Sequence, residues 1–352
     1  MAELNKPYQL RQVQRPDALG PFDLLVKTVV ASFCHTDLMV LEGLFPVNLP
    51  LTASHEGAGT VAAVGSAVTE FKLGDRVMSG QLCNPCGQCE DCLGPDDQKQ
   101  YCTNTRGAIG VGVDGAFADY HVTDSRAACL LPDEISFADG ASLACAGRTV
   151  YRAIKTSGVQ PGRFLAIVGA GGGLGHLGIQ FALAKGIEVI AIDARDGALE
   201  LCREVGAKHV LDARAGQESV VAQVRKITGG HGADSTINLS GHSAALISAC
   251  AVTRNHGTMV QVAGPDVTSI SIFDLVFRDI RVKGSMLAGR DTTTEMLAEY
   301  AEHDMKVQTH VVYGLDQVPG MVEIFKSGAV KGKAICVVDR GVFDQDDAVR
   351  TR

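Results

Sequence analysis

The chain has 352 residues, which is long enough for two domains with substantial cores. Hydrophobic residues make up 46% of the sequence and charged residues 20%, a composition that excludes a disordered chain. The net charge of −8 argues against a nucleic acid or an anionic membrane as the main partner.

No apolar run reaches the roughly 20 residues that a membrane-spanning helix requires. Residues 1–6 include charged side chains, and no apolar segment follows them, so no secretion signal is predicted. These observations predict a cytoplasmic protein, in whose reducing surroundings free thiols and metal thiolates persist.

The first 140 residues are predicted to form short strands joined by glycine turns. Apolar, β-branched runs at residues 24–30 and 57–64 are typical of strands, a turn at residues 74–77 leads into another, and residues 115–122 alternate in the same way. This pattern predicts a compact, mostly β domain.

A cysteine-rich segment interrupts that domain. It contains five of the eleven cysteines, namely Cys83, Cys86, Cys89, Cys92 and Cys102. Thiolates separated by two residues can converge on one tetrahedral metal ion at about 2.3 Å. A zinc or iron–sulfur site is predicted, and a closed zinc site with four thiolates is favoured. Disulfides are the alternative, which the absence of any sign of secretion disfavours.

From residue 164 onward, apolar strands alternate with helical patterns. The predicted strands are 164–168, 188–193, 209–211, 235–239, 258–263 and 280–284, and the predicted helices are 174–185, 198–205 and 217–228. Such alternation predicts a parallel sheet covered by helices on both faces. The tail from residue 292 is predicted to contain one helix and strands near 311 and at 334–338, and to rejoin the first domain. Residues 343–352 are predicted to be a frayed terminus.

A glycine-rich turn follows the strand at 164–168. Its candidate cofactor-binding residues are Gly169, Gly171, Gly172, Gly173, Leu174 and Gly175. Backbone N–H groups in such a turn can approach a pyrophosphate at the N-terminus of the next helix, although this turn has one residue more than the usual G-x-G-x-x-G. Asp193 ends the next strand and is suited to accept hydrogen bonds from ribose hydroxyls, which favours NAD over NADP. Arg195 could soften that preference, and a merely solvated strand end is the alternative for Asp193.

Five sequence blocks occur together in a characteristic order. They are Cys34-His-Thr-Asp37, His55-Glu-Gly-Ala-Gly59, Cys86-Gly-Gln-Cys-Glu-Asp-Cys92, the glycine turn, and Lys283-Gly-Ser285. Through them the chain resembles the zinc-dependent medium-chain alcohol dehydrogenases over nearly its whole length, specifically the yeast-type branch of fungi and bacteria. The resemblance implies a mostly β GroES-like catalytic domain at 1–146 and 288–352, with a lobe at 83–102. It also implies a Rossmann NAD-binding domain, a doubly wound parallel sheet, at 147–287.

The resemblance implies a catalytic zinc ion held by Cys34, His55 and Cys145, with a fourth position open to water or substrate. Glu56 would lie beside this metal and assist ligand exchange, and Thr36 would hydrogen-bond the substrate oxygen. The family match also implies that Asp37 orients His55, a contact that strengthens a metal ligand.

Further roles are implied by the same resemblance. His35 and Lys333 would contact the cofactor pyrophosphate, and Ser285 would also bind the cofactor. A second, structural zinc ion would be held by Cys86, Cys89, Cys92 and Cys102, with replacement of one of them by Cys83 as the alternative. The implied activity is hydride transfer between NAD(H) and a primary or secondary alcohol or the matching carbonyl compound, in a homotetramer or alternatively a dimer.

Three departures from the family pattern limit what the resemblance implies for this chain. Met39 occupies the usual position of the last histidine of the proton relay. The gap between Cys92 and Cys102 is two residues longer than usual, and this longer gap predicts a bulged lobe. The chain has no tryptophan, and Leu41 and Phe45 occupy the stretch where relatives narrow the pocket. Substrates larger than ethanol, such as aromatic or pathway-derived alcohols, are therefore expected.

Two other functions explain only part of this sequence. A zinc-free quinone or enoyl reductase on the same fold should lack the metal ligands, whereas all seven cysteine and histidine ligands are present. A non-enzymatic zinc-binding interaction protein would account for the cysteine-rich lobe but not for the glycine turn, the His55-Glu56 block or the acidic net charge.

Overall fold

The computed structural model describes residues 1–264 and 267–350. The chain divides into two compact units, the first comprising Met1–Arg148 and Ala288–Arg352 and the second Thr149–Leu287. The sequence predicts a domain boundary after residue 146, whereas the first segment of the first unit ends at Arg148. The boundary falls at the start of a helix, where no turn signal marks it. Within the described residues, no helix combines the length and apolar character needed to cross a membrane.

The first unit begins with short strands and helices. The elements are β1 (Asp23–Phe33), α1 (His35–Leu41), β2 (Glu56–Val64), β3 (Arg76–Met78), β4 (Leu82–Cys83), α2 (Glu90–Leu93), β5 (Gly107–Ala108), β6 (Tyr120–Asp124), β7 (Cys129–Leu130) and α3 (Phe137–Ser142). The strand predicted at 115–122 is mostly wrong, because only Tyr120 onward joins the sheet. Gly115 and Ala116 instead donate their N–H groups to the loop carbonyls of Thr52 and Ser54.

The second unit is a six-stranded sheet with helices. Its elements are α4 (Arg148–Ser157), β8 (Phe164–Val168), α5 (Gly175–Ala184), β9 (Glu188–Asp193), α6 (Asp196–Glu204), β10 (His209–Asp212), α7 (Gln217–Ile227), β11 (Ala233–Asn238), α8 (Ser243–Val252), β12 (Thr253–Gln261) and β13 (Arg281–Gly284). The strand order is β10-β9-β8-β11-β12-β13, and every pairing is parallel. This is the doubly wound order of dinucleotide-binding sheets, so the predicted fold class is confirmed.

Alternating residues of β8 show why both faces of this sheet are covered. Ala166 and Val168 pack into an apolar cluster with residues of α7 and α8, including Val224 and Leu246. Ile167 points the other way, where its Cδ1 atom approaches Gly178 of α5. A fully apolar strand of this kind is typical of a sheet buried on two sides.

The chain then returns to the first unit with five further elements, α9 (Arg290–Glu302), β14 (Thr309–Tyr313), α10 (Val318–Lys326), β15 (Lys333–Val337) and α11 (Arg340–Arg350). β15 pairs antiparallel with β1 and parallel with β14, so the prediction that the tail rejoins the first domain is confirmed.

The prediction of a single helix and a frayed end at 343–352 is wrong. Three helices form, and α11 extends to Arg350, while residues 351–352 lie outside the described part. Asp346 pairs with Arg76 at 3.0 Å and accepts a hydrogen bond from the N–H group of Phe137. These contacts with distant residues stabilise a segment whose own sequence is weakly apolar.

The sheet of the first unit has the order β14-β15-β1-β2-β3-β7, with β6 also paired to β1. The register pairs Ser32 with Glu56 and Phe33 with Ala334. The end of β1 therefore lies beside the start of β2 and the start of β15. This arrangement places the segment after Phe33, the residues around Glu56 and Lys333 at one end of the sheet.

Candidate metal centres and nucleotide site

Four side chains of the first unit converge at that end of the sheet. One potential ligand atom from each of Cys34, His55, Glu56 and Cys145 lies within 4.8 Å of the others, and the side chains are buried or nearly so. Cys145 reaches the group from a π-helical turn, Leu143–Gly147, that follows α3. π-Helical turns often occur at functional sites, where they redirect a single side chain.

Asp37 organises this cluster. Its Oδ1 atom lies 3.0 Å from His55 Nδ1 and accepts from the N–H group of Ser54, and its Oδ2 atom accepts from the N–H group of Cys34 at 2.9 Å. His55 Nε2 is buried and has no hydrogen-bond partner. Since a buried polar atom is costly when left unsatisfied, the Nε2 lone pair is suited to a metal ion between the two thiols.

The protonation equilibria in the cluster favour a cation. The hydrogen bond from the Cys145 thiol lowers the pKa of Cys34 well below its usual value, and the same contact raises the pKa of Cys145. Burial by itself lowers the pKa of His55, but the negative charge of Asp37 and its hydrogen bond to the ring oppose burial, and the net effect is a raised pKa. Two sulfurs and an imidazole with one open position are the donor set of a catalytic zinc ion.

Glu56 and Lys333 form a buried ion pair next to the cluster. Lys333 Nζ donates to Glu56 Oε2 at 2.6 Å and to the carbonyl of Phe33 at 3.0 Å, and Lys333 is only 3% exposed. Lys333 reaches these partners because the start of β15 lies beside the end of β1, and its contact with a cofactor pyrophosphate stays a prediction. Burial raises the pKa of Glu56 to about 7 against the opposing charge of Lys333, and Glu56 Oε1 has no partner.

Replacing Lys333 with methionine should lower the thermal midpoint of the metal-free protein, by an amount that grows as the pH rises from 6 to 8. Removing one partner of a buried pair costs about 3–5 kcal/mol while the other remains charged. Since burial already raises the pKa of Glu56, its carboxylate can take up a proton at low pH and escape this cost. Melting curves at several pH values test this, and Lys333→Arg is the charge-preserving control. A loss that is independent of pH would contradict the pairing.

The cysteine-rich lobe forms the second cluster, made of Cys86, Cys89, Cys92 and Cys102. The Cys86 sulfur lies 3.9 Å from that of Cys92 and 3.8 Å from that of Cys102. Four sulfurs around a zinc ion at 2.3 Å would be separated by about 3.8 Å, so the lobe fits the metal. The backbone N–H groups of Gln88 and Cys89 lower the pKa of Cys86 to about 6, which favours a thiolate.

Cys83 does not join the lobe cluster. It lies on β4, is fully buried, and its burial raises the pKa of its thiol to about 12. Cys102→Ser should therefore remove one metal ion per chain and lower the thermal midpoint, whereas Cys83→Ser should keep the full metal content. Elemental analysis of the two purified variants distinguishes them. Equal metal loss would show that Cys83 is a ligand.

The glycine turn of the second unit follows β8, at the point where the strand order reverses. Gly169 has a φ of 81°, and a Cβ atom on Gly171 would lie 2.1 Å from the carbonyl oxygen of Ala198. The N–H group of Gly171 donates to Asp193 Oδ2 at 3.0 Å. The turn and the acidic strand end thus form one unit, as the binding of an adenosine ribose beside a pyrophosphate requires.

The remaining predicted catalytic and cofactor-binding residues differ in burial and in their contacts. His35 is exposed at the start of α1, and Thr36 Oγ1 lies 3.9 Å from Cys34 Sγ. Ser285 is buried after β13, where Arg152 donates to its hydroxyl at 3.3 Å. In the turn, Gly172, Gly173 and Leu174 precede α5, which begins at Gly175.

Sequence reasoning missed Gln81. Its side-chain amide donates to the carbonyls of His55 and Ala144, at 2.7 and 3.2 Å. It therefore ties together the two segments that supply His55 and Cys145. A lone glutamine between strands has no local signal that would have identified this role.

The chain matches known proteins over both units. The family model described as the alcohol dehydrogenase GroES-like domain matches residues 20–133, and the one described as zinc-binding dehydrogenase matches residues 173–302. An alcohol dehydrogenase of Geobacillus stearothermophilus is 34% identical over 96% of this chain and 98% of the relative. The crystal structure of an alcohol dehydrogenase from Aeropyrum pernix has a TM-score of 0.86 at 29% identity, covering 96% of this chain and 98% of the other. A cobalt- and zinc-bound alcohol dehydrogenase of Pyrobaculum aerophilum has a TM-score of 0.82 at 25% identity, with the same coverage.

Fold, clusters and similarities together define a two-unit oxidoreductase. The chain belongs to the zinc-dependent medium-chain alcohol dehydrogenase family, as its sequence blocks predicted.

Proposed function

We propose that the protein is an NAD-dependent alcohol dehydrogenase that holds two zinc ions in each chain. The observation that carries this proposal is the buried donor set of Cys34, His55 and Cys145, in which His55 Nε2 has no protein partner. Zinc bound there would act as a Lewis acid that stabilises negative charge on the substrate oxygen. The metal-bound relative from Pyrobaculum aerophilum supports the assignment.

The surrounding residues would perform the remaining tasks. Asp37 fixes the orientation of His55, which leaves Nε2 free to coordinate. Thr36 lies close to Cys34, where its hydroxyl would hydrogen-bond the substrate oxygen and begin the proton path outward, passing on its own proton as it takes one from the alcohol. The burial of Cys34, His55 and Glu56 would limit the access of water to the substrate oxygen.

The cofactor preference follows from Asp193. Its carboxylate lies against the glycine turn, and it would accept hydrogen bonds from the ribose hydroxyls and repel a 2′-phosphate. Arg195 lies 3.7 Å from that carboxylate with a half-exposed side chain, so it partly neutralises Asp193. We expect NAD to be used much better than NADP.

The substrate is proposed to be a primary or secondary alcohol, or the matching carbonyl compound, that is bulkier than ethanol. The absence of tryptophan supports a roomy pocket. Leu41 is buried in the core of the first unit and Phe45 packs against the same cluster, so neither is shown to narrow a pocket.

Oxidation rates are expected to depend on buffer concentration, because Met39 cannot pass a proton to solvent. Met39→His should reduce that dependence and introduce a titration near the pKa of histidine, about 6.5. The measurement is the pH–rate profile at several buffer concentrations, with Met39→Leu as the control. An unchanged profile in Met39→His would count against a truncated relay.

We further propose a cytoplasmic homo-oligomer, a tetramer or alternatively a dimer. β13 is the edge strand of the parallel sheet and is largely exposed. Nearby, Phe273, Val276 and Phe277 expose 59–72% of their surfaces, a patch that a second copy of the chain would cover. Light scattering after size-exclusion chromatography measures the assembly.

The activity is tested by a spectrophotometric screen of alcohols with NAD and of carbonyl compounds with NADH, repeated with the phosphorylated cofactors. The highest kcat/KM is expected for a bulky alcohol with NAD, and metal analysis should give two zinc ions per chain. A maximum for ethanol would overturn the substrate class. One zinc ion without turnover would indicate a non-enzymatic zinc protein, and none would indicate a zinc-free reductase.

A further inference from the structure

Helix α9 has no capping side chain of its own. Its N-cap residue is Gly289, and the first turn is capped by two residues of the cysteine-rich lobe. Asp97 Oδ1 accepts from the N–H group of Gly289 at 3.0 Å, and Asp97 Oδ2 accepts from the hydroxyl of Thr292 at 3.2 Å. Asp96 Oδ2 accepts from the N–H group of Asp291 at 2.9 Å. Two carboxylates therefore satisfy helix-terminal donors that would otherwise be unpaired.

The fit between lobe and helix is close. A Cβ atom at Gly289 would lie 2.1 Å from Asp96 Oδ2 and 2.3 Å from the Asp96 carbonyl oxygen. Asp96 and Asp97 begin a short 3₁₀ helix, Asp96–Tyr101, which lies between Cys92 and Cys102. The positions of both carboxylates consequently depend on the loop that these two thiol ligands close.

We propose that Asp96 and Asp97 are positioning residues through which the metal ion of the lobe holds the start of α9 in place. This inference rests on the proposed structural zinc ion. Without the ion, the four thiols lose their common centre, the loop between Cys92 and Cys102 is released, and the first turn of α9 loses its cap.

Release of the start of α9 would also affect the turn that carries Cys145, in the other metal cluster of the same unit. Met296 lies on α9 and is fully buried, and its sulfur would be 3.0 Å from a Cβ atom at Gly147. Gly147 ends the π-helical turn that carries Cys145. The lobe metal thus stabilises α9, and α9 packs against the turn that supplies Cys145.

Hydrogen–deuterium exchange of residues 288–296 in the metal-loaded full chain tests the inference. The double variant Asp96→Ala/Asp97→Ala should exchange about tenfold faster at these amides while retaining two metal ions. Glu90→Ala is the matched control, since Glu90 is an exposed acid of the same lobe whose carboxylate has no partner among the described residues. Asp96→Asn/Asp97→Asn, which keeps an acceptor oxygen at each position, should restore slow exchange.

Cys102→Ser supplies the metal arm of the test. It should lose one metal ion and accelerate exchange at the same amides as strongly as the double alanine variant does. Exchange in Asp96→Ala/Asp97→Ala equal to that in Glu90→Ala would overturn the capping role. Slow exchange in Cys102→Ser would overturn the link to the metal. Neither readout depends on alcohol oxidation, so failure of the proposed activity is recognised separately in the substrate screen.

Discussion

Replacing Cys145 with alanine is expected to reduce the metal content from two ions to one per chain and to lower kcat/KM by at least ~10³-fold. A Lewis-acid metal contributes several kcal/mol of transition-state stabilisation, which corresponds to this factor. Cys145 is one of only three strong donors in its cluster, and its loss leaves Cys34 and His55 to hold the ion with Glu56 alone. Elemental analysis and steady-state kinetics on the same preparation measure both effects.

Cys129→Ala is the matched control. Cys129 is also a buried thiol of the first unit, and burial raises its pKa, but it belongs to neither metal cluster. It should cost some packing stability while retaining both metal ions and most of the activity. If Cys145→Ala kept two metal ions and normal turnover, the assignment of the catalytic centre would be wrong.

Replacing Asp193 with asparagine is expected to shift the ratio of kcat/KM for NAD to that for NADP by about 100-fold toward NADP. A hydrogen bond to a charged group contributes about 1.5–3 kcal/mol, so binding of the ribose hydroxyls weakens. Removal of the negative charge also ends the repulsion of a 2′-phosphate and leaves Arg195 available to pair with it. Asparagine retains one acceptor oxygen for the N–H group of Gly171, while an amide NH2 replaces the oxygen that accepts from the N–H groups of Ala194 and Arg195.

Asp212→Asn is the control for this change. Asp212 ends β10 directly beside Asp193 in the sheet register, but its carboxylate pairs with Arg214. Kinetics with both cofactors should show no shift of preference for Asp212→Asn. An unchanged preference in Asp193→Asn would remove this residue from the cofactor site.

The sequence was informative wherever chemistry depends on neighbours in the chain. The spacing of Cys86, Cys89 and Cys92 indicates a tetrahedral site, and a glycine turn between a strand and a helix indicates a pyrophosphate. The β-α alternation predicted the parallel sheet, because each strand and helix has its own local period of apolar residues. The gathering of Cys34, His55 and Cys145 came from the resemblance to a family, since no local pattern joins these three residues.

The contacts that were missed join distant segments. Lys333 and Glu56 are 277 residues apart, and Asp97 and Gly289 are 192 residues apart. Asp346 and Arg76, which hold α11 in place, are separated by 270 residues. Each pair depends on how two distant elements pair or pack, and the local sequence of one element does not predict its partner.

For this protein, the sequence by itself determined the thiols of the cysteine-rich lobe, the nucleotide turn and the two kinds of sheet, because local spacing and periodicity specify them. Only the tertiary structure decided that Lys333 neutralises Glu56 and that the cysteine-rich lobe caps α9. Both facts follow from how strands and helices pack across the chain, and a buried charge or a helix end takes whichever partner that packing brings within hydrogen-bond distance.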